Sequence, residues 1–139
     1  MKSKDVSSLI KGIAHIGIPV TDVEKSKAFY QDVLGMEILH ENILKTDEED
    51  IPLCFLKKGD MVLELYHVPS ATTPKTDGAV DHIAFRVKDL ETVKEALKEK
   101  GIEFIDDEIA TCEYLFDNGS RWILFYGPDK EKIELNECF

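Results

Sequence analysis

Four side chains in this sequence repeat a spacing that suits metal chemistry. His15 precedes Glu64 by 49 positions, and His82 precedes Glu134 by 52. The text around them repeats as well. HIGIPVTDVEKS runs from His15 and HIAFRVKDLETV from His82, with His, Ile, Val, Asp and Glu at the same offsets, and Glu64-Leu65 answers Glu134-Leu135. A lone histidine on a strand is usually a surface or satisfied group, and a lone glutamate is usually solvated. Two of each at repeat-matched places are better explained as ligands. Neutral imidazole nitrogens and carboxylate oxygens suit one divalent cation: nickel, cobalt, iron, manganese or zinc.

The elements that must carry these residues follow from hydrophobic period and turn chemistry. Alternating, β-branched stretches over Gly12 to Val20 and Val80 to Lys88 read as strands. A helix follows each. Thr21 or Asp22 can cap the first, Val23, Ala28, Tyr30, Val33 and Leu34 give its apolar stripe, and Gly35 ends it. Asp89 can cap the second, with Leu90, Val93, Ala96 and Leu97 as its stripe and Gly101 as its stop. Three more strands follow in each half, near Met36–Leu44, Pro52–Lys57 and Met61–Val68, and near Ile102–Asp107, Trp122–Tyr126 and Lys132–Glu137; Ile109 to Asp117 is left open. The expectation is an α+β fold in which two βαβββ units form a cup-shaped, eight-stranded mixed sheet. A single domain, residues 1–139, would hold modules at about 12–68 and 80–137, joined by the turn-rich linker 69–79.

Strand parity then sorts the faces. Ile16, Ile18 and Val20, Ile83, Phe85 and Val87, Leu63 and Leu65, Ile133 and Leu135 fall on helix-packed faces, whereas His15, His82, Glu64 and Glu134 fall opposite them. Arg86, Tyr66 and Asn136 share the ligand faces and are candidates to bind substrate, Arg86 through a carboxylate. His67 has the wrong parity for the site, and His40 is expected on the surface. Trp122 and Phe125 are expected mainly in the core.

Composition narrows the class. The chain has 139 residues, 43% of them hydrophobic and 32% charged, with a net charge of −11 from 17 basic and 28 acidic residues. That balance disfavours nucleic acid as a partner. No apolar run is long enough to span a membrane, and MKSKDVSSLIKG at the N-terminus lacks the apolar core of a signal peptide. Cys54, Cys112 and Cys138 form no CxxC and no paired pattern, which fits a reducing, cytoplasmic setting.

The pieces AHIGIPV, VLELY, VDHIAFRV and KIELNE, with YQDVLGM after the first helix and GPDKEKIEL before the last ligand, resemble the vicinal-oxygen-chelate family over nearly the whole chain. Ligands in the order His, Glu, His, Glu are similar to its glyoxalase I branch. The resemblance implies a lyase that isomerises the thiol hemithioacetal of a 2-oxoaldehyde to a 2-hydroxyacyl thioester through an enediolate. It implies one divalent ion, nickel or cobalt favoured with zinc, manganese or iron also possible, held by His15, Glu64, His82 and Glu134. It gives Glu134 the part of leading base and Glu64 that of its partner. It also implies a small-molecule substrate and a homodimer, whose cup forms within one chain or between exchanged chains. Glutathione-using members differ from this chain at Pro19 and Val68, so the thiol stays open. An epimerase of the methylmalonyl-CoA type and a non-catalytic bleomycin-resistance-type binding protein are the alternatives.

Overall fold

Each repeat turns from strand to helix at an aspartate. Asp22 takes an extended conformation and its Oδ1 accepts from the Lys25 amide at 3.1 Å, satisfying one of the free donors of a first turn. Asp89, at a left-handed φ of 59°, likewise accepts from the Thr92 amide at 3.4 Å. A computed structural model describes residues 6–9, 11–71, 78 and 80–139. In it β1 (Ile16–Pro19), α1 (Val23–Leu34), β2 (Glu37–Lys45), β3 (Asp50–Lys58) and β4 (Met61–Tyr66) are followed by β5 (His82–Arg86), α2 (Leu90–Glu99), β6 (Ala110–Cys112), β7 (Ser120–Tyr126) and β8 (Lys132–Cys138). The linker expected at 69–79 falls largely outside the described residues.

The strands make two four-stranded mixed sheets, in the orders β1-β4-β3-β2 and β5-β8-β7-β6. In each, the first strand runs parallel to the last, with Gly17 opposite Glu64 and Ala84 opposite Glu134. This pairing is why residues some fifty positions apart become neighbours. The α+β reading and the βαβββ order both hold.

One core lies between the helices and the sheets. Tyr30, Leu56, Leu63, Leu65, Leu90, Ile123, Phe125, Ile133 and Leu135 are all fully buried, and burial of such a side chain contributes about 1.5–3 kcal/mol. The two units share this core. Phe29 of α1 packs on Phe125 of β7, with ring centroids 6.4 Å apart. Polar ties join the units at its rim. Asp129 accepts from the Thr21 amide at 3.1 Å, Tyr30 donates its hydroxyl to Glu131 at 3.2 Å, and Lys100 donates to the Asp32 carbonyl at 2.9 Å. Burial raises the Glu131 carboxyl above the usual carboxylate range and raises the Tyr30 phenol as well.

Two elements differ from the sequence expectation. Ile102–Asp107 forms no strand. Phe104 makes a single bridge to Phe125 and stacks edge-on against it, centroids 5.7 Å apart, and the chain then bends over 105–108. The strand after α2 is instead the short β6, Ala110–Cys112, at the edge of its sheet. The leading strands are also shorter than expected. Gly12 sits at φ 128° and the ladder to β4 begins at Ile16, so His15 stands one residue before β1. Among the described residues no helix is long and apolar enough to cross a membrane.

Candidate metal centre

β4 buries Leu63 and Leu65 and turns Glu64 and Tyr66 to the opposite face; β8 buries Ile133 and Leu135 and turns out Glu134 and Asn136. The histidines approach from beside each glutamate, His82 as the first residue of β5 and His15 from just before β1. His15 Nε2 lies 3.8 Å from Glu64 Oε1, and His82 Nε2 lies 3.7 Å from Glu134 Oε1. Both separations exceed hydrogen-bonding range. They place a nitrogen and an oxygen donor across a gap that two ligands of one ion would span, with bonds of about 2.0–2.2 Å. The donor set thus fits a divalent cation, two ligands at a time. Among the described residues, no three His, Cys, Asp or Glu side chains gather into one cluster. The chain therefore brings its four candidate ligands together as two pairs, one on each sheet.

The pairs are supported unequally. In the second, Asp81 Oδ2 lies 2.9 Å from His82 Nδ1, and Lys132 Nζ lies 3.3 Å from the other Asp81 oxygen. Those two hydrogen bonds hold the Asp81 carboxyl below its ordinary value. Asn136 donates its amide to Glu134 Oε2 at 3.0 Å, and the buried Ser120 hydroxyl donates to Asn136 Oδ1 at 3.3 Å. In the first pair, the edge of Phe55 meets the His15 ring at 5.3 Å between centroids. Gly17 leaves room there. A Cβ on it would stand 3.4 Å from the Tyr66 ring and 3.5 Å from Glu64 Oε1.

Strand register shows which other side chains flank each pair. Across the first sheet Gly17, Glu64, Phe55 and His40 form one row; across the second, Ala84, Glu134 and Leu124 form the matching row, and Arg86, Asn136 and Trp122 the next. Phe55 and Gly17 meet Glu64 only through strand pairing. Their signal lies in the cross-strand register, which the sequence does not print. His40 lies on the ligand face as well as being exposed. Trp122 is half-buried on the Glu134 side of β7, not in the core, whereas Phe125 is a core residue. Arg86 is exposed and makes no ion pair among the described residues. Tyr66 reaches over Gly17, beside Glu64. Asn136, expected to contact substrate, spends its amide on Glu134 and Ser120.

Other polar groups serve the fold. His67 Nδ1 donates to the Val20 carbonyl at 2.9 Å, in keeping with its parity. Glu137, at the end of β8, accepts from the first amides of α2, Asp89 at 2.7 Å and Leu90 at 3.2 Å. All three cysteines are free, and burial pushes the Cys54 thiol up to about 11.

Comparison with known proteins agrees with this architecture. The family model described as the Glyoxalase/Bleomycin resistance protein/Dioxygenase superfamily matches residues 12–135. The uncharacterized protein YwkD of Bacillus subtilis is 35% identical over 93% of this chain and 98% of its own length. The mitochondrial methylmalonyl-CoA epimerase of Mus musculus is 28% identical over 68% of this chain, which spans 56% of that protein. A probable lactoylglutathione lyase of Vibrio parahaemolyticus is 33% identical over 64% of this chain and 66% of its own. The crystal structure of a glyoxalase family protein from Enterococcus faecalis superposes with a TM-score of 0.74 at 30% identity, covering 93% of this chain and 99% of that one.

Proposed function

The chain belongs to the glyoxalase/bleomycin resistance protein/dioxygenase superfamily, and from that premise we propose that it is a divalent-metal-dependent lyase of the glyoxalase I type. Its ligands are His15, Glu64, His82 and Glu134. The observation that carries this reading is the repeated pair, Nε2 to Oε1 at 3.8 and 3.7 Å, at matched places on two sheets. Because each sheet offers two donors, the complete site takes one pair from each of two copies of the chain. Ile13 and Val80, two residues before the histidines, are 81% and 75% exposed. Apolar surface of that kind beside each half-site favours a homodimer that covers it.

The substrate is a small molecule, the adduct of a thiol and a 2-oxoaldehyde. A bound cation supplies Lewis-acid stabilisation to the oxygen that gains charge as the proton leaves. Glu134 takes that proton from the carbon bearing sulfur, and the proton returns to the adjacent carbon, with Glu64 as the partner carboxylate. The two carbons exchange oxidation levels, so no outside electron donor or acceptor is needed. Asn136 keeps the Glu134 carboxylate aimed, and a positioned base contributes about 10²–10⁴-fold. Arg86, Tyr66 and Trp122 stand on the same faces and bind the rest of the substrate. The three free cysteines suit a reducing, cytoplasmic setting.

A second reading, a metal-dependent epimerase, is favoured by the match to the methylmalonyl-CoA epimerase and uses the same proton transfer beside a carbonyl. Assays of purified, metal-analysed protein separate the two. Methylglyoxal with glutathione or other small thiols should give a 2-hydroxyacyl thioester under the first reading. Inversion of methylmalonyl-CoA with no thioester formed would establish the second and overturn the first.

A further inference from the structure

We propose that Asp81 is the positioning residue of the second half-site, fixing the His82 tautomer so that this half-site captures the cation before His15 and Glu64 join it. The inference rests on His82 being a ligand. A carboxylate can only accept, so the 2.9 Å contact between Asp81 Oδ2 and His82 Nδ1 places a proton on Nδ1. In the neutral ring that leaves Nε2 bare, and Nε2 is the atom facing Glu134 Oε1 at 3.7 Å. Asp81 is itself held through its other oxygen by Lys132 Nζ at 3.3 Å. Asn136 performs the corresponding service for Glu134. Both ligands of this half are thus oriented without the metal.

The first half is built differently. The residue before His15 is Ala14, which has no acceptor to offer in the place of Asp81. The His15 ring meets Phe55 edge-on, and among the described residues nothing hydrogen-bonds its Nδ1. An unrestrained imidazole prefers its proton on Nε2, the atom that ligation needs bare, so His15 must change tautomer to bind. His82 need not. Outer partners of metal-bound histidines typically change affinity by about 10–100-fold.

The test reads the tautomer in metal-free protein and the affinity separately. Long-range proton–nitrogen NMR at about pH 8.5, where an ordinary imidazole is neutral, should show His82 protonated on Nδ1 and His15 on Nε2. Asp81→Ala should move the His82 proton to Nε2 and weaken cobalt binding by about 10–100-fold. Asp81→Asn, whose amide oxygen still accepts, should keep the tautomer and lose less affinity. A wild-type His82 protonated on Nε2, or an Asp81→Ala protein unchanged in both readouts, would overturn the proposal. If the tautomers behave as described but wild type takes up no cobalt, the metal reading fails while the hold of Asp81 on His82 stands.

Discussion

Asn136 donates its side-chain amide to Oε2 of Glu134 at 3.0 Å, while the other oxygen of that carboxylate faces His82. A hydrogen bond to a charged group is worth about 1.5–3 kcal/mol, so this contact fixes the carboxylate at little cost to the fold. Asn136→Ala should therefore leave the folded structure intact and weaken metal binding by about tenfold. Ser120→Ala, one step further back, should act in the same direction and less. Calorimetric titration with cobalt measures both; an Asn136→Ala protein that binds as tightly as wild type would show the amide to be idle.

Glu134→Gln separates ligation from proton transfer. The amide still offers an oxygen to a cation but cannot accept the substrate proton, so turnover should fall by about 10²-fold or more at matched metal content. Glu64→Gln should cost less. Full activity in metal-loaded Glu134→Gln removes it as the base, and equal losses in the two variants point to shared proton transfer.

Gly17 tests the shape of the first half-site. An added Cβ meets the Tyr66 ring at 3.4 Å and Glu64 Oε1 at 3.5 Å, which is ordinary van der Waals contact. Gly17→Ala should fold and bind metal nearly as wild type. Gly17→Val adds two methyl groups toward Glu64 and should weaken metal binding while circular dichroism stays unchanged. Undiminished binding in Gly17→Val would mean that Glu64 does not need the place it occupies.

Glu131 gives the fold a pH dependence of its own. Burial raises its carboxyl above the usual carboxylate range. A carboxyl raised by folding contributes stability that is present below the unfolded value and lost as pH rises through the folded one. Glu131→Gln keeps an acceptor for the Asp129 amide and removes the buried charge. The variant should gain thermal stability relative to wild type as pH rises from about 4.5 to neutrality. A difference in Tm that does not change over this range would show that the carboxylate is not penalised by burial.

Much of this architecture was legible from period and punctuation. Asp22, Gly35 and Asp89 mark helix ends by local backbone chemistry, and the alternation around Leu63–Leu65 and Ile133–Leu135 names the buried face because a strand has only two. What lay beyond reach was non-local. Phe104 reads as part of a strand, yet it packs on the core at Phe125 and pairs there through a single bridge before the chain bends over 105–108. Phe55 neighbours Glu64 only through the β3–β4 register, and Asp81 becomes visible as a partner of His82 only when the ring is placed. Parity gave the four ligand candidates a common type of face. It could not say that one chain would gather them as two pairs.

The central claim is that two half-sites from two chains make one metal centre, and subunit complementation tests it most directly. One variant carries His15→Ala and Glu64→Ala, the other His82→Ala and Glu134→Ala. Alone, each should bind no cobalt tightly, since every site in its homodimer lacks one half. After mixing and subunit exchange, half of the dimers are mixed and each holds one intact site. Tight binding and turnover should then return to about a quarter of the wild-type level. No recovery in a mixture shown by mass spectrometry to contain the mixed dimer would place all four ligands within one chain, and tight binding by either variant alone would remove its mutated pair from the centre.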